Sequence, residues 1–173
     1  MAAPSQIQAR YVEEEDRILL RINTVADEEF RFWLTRRFLR RLSPVLQEGL
    51  MSSPTARQQL DYVSRQAVMA FEHERAQSKA EFNSPFRETG KLPLGTDPLL
   101  IVRAGFRNLE GGGFSVALKN GDSKGIDLTL TSDLLHLVCK LLDDAAQKSG
   151  WDIPALLQGV GDAAAPVTAS RLN

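Results

Sequence analysis

Apolar and polar residues alternate along several short stretches of this chain, then give way to spacings of three and four. From Arg17 to Asn23, Ile18, Leu20 and Ile22 fall on one side and Arg17, Leu19 and Arg21 on the other. From Glu29 to Leu34, Phe30, Phe32 and Leu34 share a side opposite Arg31 and Trp33. Two alternating runs joined by a polar turn predict an antiparallel hairpin with one buried face. Gln6–Val12 forms a third strand before it, and Glu13–Asp16 a solvated acidic turn. Thr35 is a good N-cap. Phe38, Leu39, Leu42, Val45, Leu46 and Leu50 then recur at helical spacing to Met51, with Pro44 expected to kink or break the helix.

The same order returns later. Residues 18–42 and 114–138 align without a gap: Ile18, Leu20 and Ile22 fall on Phe114, Val116 and Leu118, and Phe30, Phe32 and Leu34 on Ile126, Leu128 and Leu130. Thr35 falls on Thr131, and Phe38, Leu39 and Leu42 on Leu134, Leu135 and Val138. The pattern predicts an α+β fold of two βββα repeats, about 6–51 and 99–149, with antiparallel sheet or sheets covered by helices. In the second copy, Leu100, Val102, Ala104 and Phe106 are expected on one strand face, and Gly111-Gly112-Gly113 makes a hairpin turn.

A helix over 54–80 links the copies, with Leu60, Val63, Ala67, Ala70 and Phe71 as its apolar stripe. Residues 82–97 read as a loop, Pro154–Gly159 as a short helical piece, and 160–173 as a disordered tail. The whole, 1–173, reads as a single domain.

Composition adds limits. The formal charge of −1 gives no global pull toward nucleic acid or an anionic surface. The single cysteine, Cys139, excludes an internal disulfide and suits the reducing cytoplasm. No stretch nears the roughly 20 apolar residues of a membrane span, and MAAPSQIQARYVEEE lacks the layout of a signal peptide.

The candidate chemistry is cationic. Leu19, Arg21, Arg31 and Trp33 share an outward sheet face, and Arg103 and Arg107 have matching parity in the second copy. Arginines beside an aromatic ring suit single-stranded nucleic acid, where bases stack and guanidinium groups meet phosphates. The same residues can equally cover a sheet or meet a dimer partner. Arg36, Arg37, Arg40 and Arg41 share one helix face, either solvated and partly neutralised by Glu13–Asp16, or aimed at a carboxylate or phosphate. Glu72-His73-Glu74 point in different directions on a helix and have no second ligand nearby, so no metal is expected. His136 reads as a boundary residue and Cys139 as structural. No cofactor is implied.

The stretch DRILLRINT…EEFRFWLTRR is similar to a DRxLLRxxT…EEFRxWLTRR segment of small bacterial proteins, over roughly residues 6–45. That resemblance implies no activity, cofactor or catalytic residue. At the fold level, paired sheet-plus-helix repeats resemble those of PUR and Whirly single-strand binders, which have four strands per repeat rather than three. The expected function is a non-enzymatic binding or assembly module that dimerises through Leu19 and Trp33. Single-stranded nucleic-acid binding is the alternative, and an enzyme with a dispersed site the third class.

Overall fold

The computed structural model describes residues 1–79 and 85–156. The tail 160–173, and the last part of Pro154–Gly159, lie outside them. Strands β1 (Pro4–Val12), β2 (Arg17–Thr24) and β3 (Glu29–Leu34) form an antiparallel meander. Helices α1 (Arg36–Met51), α2 (Pro54–Arg57) and α3 (Tyr62–Lys79) follow. The chain returns as β4 (Leu99–Leu100), parallel to β3. Then β5 (Arg103–Asn108), β6 (Phe114–Lys119) and β7 (Gly125–Leu130) make a second antiparallel sheet, and α4 spans Ser132–Ser149. The fold is α+β, with a four-stranded and a three-stranded sheet.

Period-two alternation places the core as expected. Ile18, Leu20, Phe30, Phe32, Phe114, Val116, Ile126 and Leu128 are all buried. Both sheets, α1 and α4 meet there. Leu20, Leu34, Leu46, Val116, Leu128 and Leu142 are among the residues around a wholly apolar void of about 30 Å³. Burying these side chains contributes about 1.5–3 kcal/mol each.

The two sheets are joined at two places. The Ile101 N–H reaches the Trp33 carbonyl at 3.0 Å, and the next N–H, of Val102, reaches Lys119 at 3.0 Å. The strand changes partner between these residues, and its parity slips there. Leu99 lies opposite Phe32, Leu100 opposite Trp33, and Ile101 is buried. Leu100 and Val102 therefore face outward at 39% and 49% exposure, a correction to the single apolar face expected for Leu100–Phe106. The parallel β3–β4 pair corrects the wholly antiparallel expectation. At the other end, Ala2 exchanges backbone bonds with Asp127 and Thr129 beside β7, at 2.7 and 3.0 Å.

The helices show two further departures. α1 passes through Pro44 without a break. The carbonyl left without a donor belongs to Arg40; Pro44 and Arg40 are both exposed, so water can satisfy it. The linking helix, expected as one piece, is two, divided at 58–61. The α3 stripe is also turned over. Leu60, Val63 and Phe71 are 98%, 73% and 64% exposed, whereas Met69, Glu72, His73 and Ala76 are buried. Polar contacts to α4 choose that face: Arg75 meets Asp133 at 2.7 Å, and Glu72 lies 3.6 Å from His136.

Candidate functional site

The residues singled out in the sequence fall in three places. The first is the outer face of the four-stranded sheet. Arg21 and Arg31 are cross-strand neighbours on β2 and β3. Both turn to Glu29, whose side chain is fully buried. Arg21 Nε and Arg31 Nε donate to Glu29 Oε1 at 2.8 and 2.7 Å, and Arg21 Nη2 forms an ion pair with the same oxygen at 2.7 Å. Burial works to raise the Glu29 carboxyl, but the guanidinium groups of Arg31 and Arg21, with the Thr89 N–H, outweigh it and hold it below its ordinary value.

Residues 85–98 lie over this end of the sheet. The Phe86 ring stands 4.2 Å from the Arg21 guanidinium, and Glu88 meets Arg21 at 3.2 Å. Asn23 donates to the Arg87 carbonyl at 2.6 Å, Arg87 pairs with Asp27, and Arg31 donates to the Thr96 carbonyl at 3.3 Å. The loop expected at 82–97 thus serves, over its described part, as a cover for these arginines. Leu19 and Trp33 lie beyond it, paired across β2 and β3, and both are half-buried.

The second place is β5. Arg103 and Arg107 are exposed on its outward side. Arg103 Nη2 donates to the carbonyls of Asn120 and Gly121 and to Ser123 Oγ at 3.2, 3.0 and 2.8 Å, clamping the β6–β7 turn. These two arginines belong to the other sheet and do not extend the Arg21–Arg31 pair.

The third place is the start of α1. Thr35 Oγ1 accepts the Phe38 N–H at 3.2 Å, which fixes the first turn. Arg36, Arg37, Arg40 and Arg41 line a shallow hollow of about 350 Å³ and are all exposed. None of them forms an ion pair among the described residues. Two of the neighbouring acids have other partners. Glu15 pairs with Arg17 at 3.9 Å, and Asp16 Oδ1 accepts from Tyr11 and Trp151 at 2.9 and 2.8 Å. Those two hydrogen bonds, from Trp151 first, hold the Asp16 carboxyl below its ordinary value, with a smaller contribution from the Arg36 charge. No acid stands in the first turn of α1, so its cations face the positive end of the helix dipole with the nearby charge of Asp16 as a partial offset.

Sequence reasoning missed a buried polar group between α3 and α4. His136, expected at a boundary, is fully buried, and Glu72 and His73 are 3% and 7% exposed. Burial first, then the charges of His136 and Lys140, push the His73 pKa down to about 4, so it is neutral at pH 7. Burial also pushes the Cys139 thiol up. Among the described residues, no group of three or more His, Cys, Asp or Glu could hold a metal ion, and no helix is long and apolar enough to cross a membrane.

No family model, no curated protein and no solved structure matches this chain.

Proposed function

We propose that this chain is a non-catalytic binding module of the cytoplasm, that its partner surface is the arginine face of α1, and that its partner is anionic. The observation that carries this reading is four exposed arginines around one hollow, none in an ion pair among the described residues. Arg36–Arg40 and Arg37–Arg41 are like-charge pairs four residues apart, each unfavourable by a few tenths of a kcal/mol. An external anion relieves this repulsion and the dipole mismatch together. A cytoplasmic setting is supported by Cys139, a buried thiol with no second cysteine. Nucleic-acid binding on the sheet draws less support, because Arg21 and Arg31 are committed to Glu29. The Glu72–His136–His73 group is packed at a helix interface, where it serves docking rather than catalysis.

Strands β1–β3 with α1, and β5–β7 with α4, read as two copies of one unit. Their strand order is the same, and Thr35 and Thr131 each accept the N–H three residues on at 3.2 Å.

The test is a titration of labelled oligothymidylate and of labelled polyglutamate into the wild type and into the Arg36→Ala/Arg37→Ala/Arg40→Ala/Arg41→Ala variant. The wild type should bind at least one of the two at low salt, with affinity falling as salt rises. The variant should bind at least about tenfold more weakly, with its thermal transition no lower, because all four side chains are exposed and their mutual repulsion is removed. Equal binding by both chains would remove this reading.

Self-association is a second reading, favoured by the exposure of Leu60, Tyr62, Val63 and Phe71 on and beside α3, between 64% and 98%. Leu19 and Trp33, expected to hold a dimer, are less exposed than these. Sedimentation at tens of micromolar should show a dimer that Phe71→Asp disperses and Trp33→Asp does not. A wild-type monomer would end this reading, and a dimer lost only with Trp33→Asp would return the interface to the sheet.

A further inference from the structure

The arginine face of α1 has a counterpart in the same chain. In the gapless alignment, carried two residues further, Arg36, Arg37, Arg40, Arg41 and Pro44 fall on Ser132, Asp133, His136, Leu137 and Lys140. Those five positions of α4 are all buried or half-buried. α3 lies along this face: Arg75 and Lys79 meet Asp133 at 2.7 and 3.4 Å, Glu72 lies 3.6 Å from His136, and the rings of His73 and His136 stand 5.6 Å apart. The five α1 positions are all exposed. The two helices start with the same cap, so one face is covered by a helix in the second unit and bare in the first.

The charge is reversed at position 133 of α4 and stays basic at position 136. Where α4 offers Asp133 to two cations, α1 offers Arg37. Where α4 places His136 against Glu72, α1 places Arg40. We infer that the arginine face of α1 receives an acidic helix from a partner protein, packed as α3 packs on α4. This rests on the reading that the face binds an anionic partner, and it names the class. The partner helix carries carboxylates at the places of Arg75 and Lys79 to meet Arg37, and keeps one at the place of Glu72 to meet Arg40. These positions recur at three, four and seven residues, so they lie on one helical face. A nucleic acid fits less well, because base stacking needs an aromatic ring among the cations and none of the five positions has one.

The test uses the full chain and two labelled peptides. One is residues 62–79 as they stand. The other is the same segment with Arg75→Glu and Lys79→Glu. The acidic peptide should bind the wild type at least about tenfold more tightly than the unmodified one, a difference of about 1.4 kcal/mol, and gain helical circular dichroism on binding. The preference should reverse on the Arg37→Asp/Arg40→His chain, which gives α1 the charges of α4 at those two positions. If oligothymidylate binds through the four arginines and the acidic peptide does not, this inference falls while the anionic-partner reading stands. If the acidic peptide, oligothymidylate and polyglutamate all fail to bind, both fall.

Discussion

Glu29→Ala should destabilise the protein by about 3 kcal/mol, the low end of the cost of removing one partner from a buried ion pair. One buried carboxylate oxygen takes two guanidinium hydrogen bonds and a third close ion-pair contact, so its loss leaves Arg21 and Arg31 side by side with the exposed Glu88 in place of a buried counter-ion. Their side chains keep 14% and 25% exposure, which lets water recover part of the loss. The pH dependence has a definite sign. The folded carboxyl titrates below its unfolded value, so its stabilisation is complete above roughly pH 4.3 and is lost as pH falls through the folded pKa. Chemical denaturation between pH 3 and 7 should show this loss in the wild type and a flatter profile in Glu29→Gln. A Glu29→Ala variant as stable as the wild type at pH 7 would mean that Arg21 and Arg31 are not held by this carboxylate.

Gly125→Ala should be comparably damaging. Gly125 opens β7 opposite Lys119 with φ at +154°, where an added Cβ would stand 1.8 Å from the Leu118 carbonyl oxygen. That neighbour is backbone in the same hairpin and cannot turn aside. The cost is about 3 kcal/mol or more, or roughly 6–12 °C in Tm for a chain of this size. Gly121 lies in the same turn with open space where its Cβ would go, so Gly121→Ala should change Tm by less than about 2 °C. Equal shifts for the two variants would contradict the β6–β7 register.

The parts of this fold that were legible in the sequence are those set by local periodicity. Ile18, Leu20, Phe30 and Phe32 alternate because one sheet face is buried, and Thr35 and Thr131 stand where a strand hands over to a helix. The departures are set by contacts between residues far apart in sequence. Leu60, Val63 and Phe71 form a stripe at helical spacing, yet α3 buries the polar face whose Arg75 and Glu72 find Asp133 and His136. Leu100 and Val102 keep strand periodicity with Ala104 and Phe106, but the change of partner at Ile101–Val102 breaks it. Glu29 reads as the last residue of a polar turn. Only the β2–β3 register, which sets Arg21 beside Arg31, makes it the centre of an ion-pair cluster. For the same reason, alternation placed Arg21, Arg31 and Trp33 on one face without revealing that two of the three were already committed. The α1 arginines needed no such information, since a helical face can be counted directly; their lack of ion pairs could not be.

The most direct measurement of the central claim is a nuclear magnetic resonance titration that follows arginine Nε–Hε signals as polyglutamate or oligothymidylate is added at low salt. The account predicts that Arg36, Arg37, Arg40 and Arg41 shift together and saturably, while Arg21 and Arg31, held on Glu29, stay in place. Shifts centred on Arg21, Arg31 and the Trp33 indole, with the α1 arginines unmoved, would contradict it and return the binding surface to the sheet.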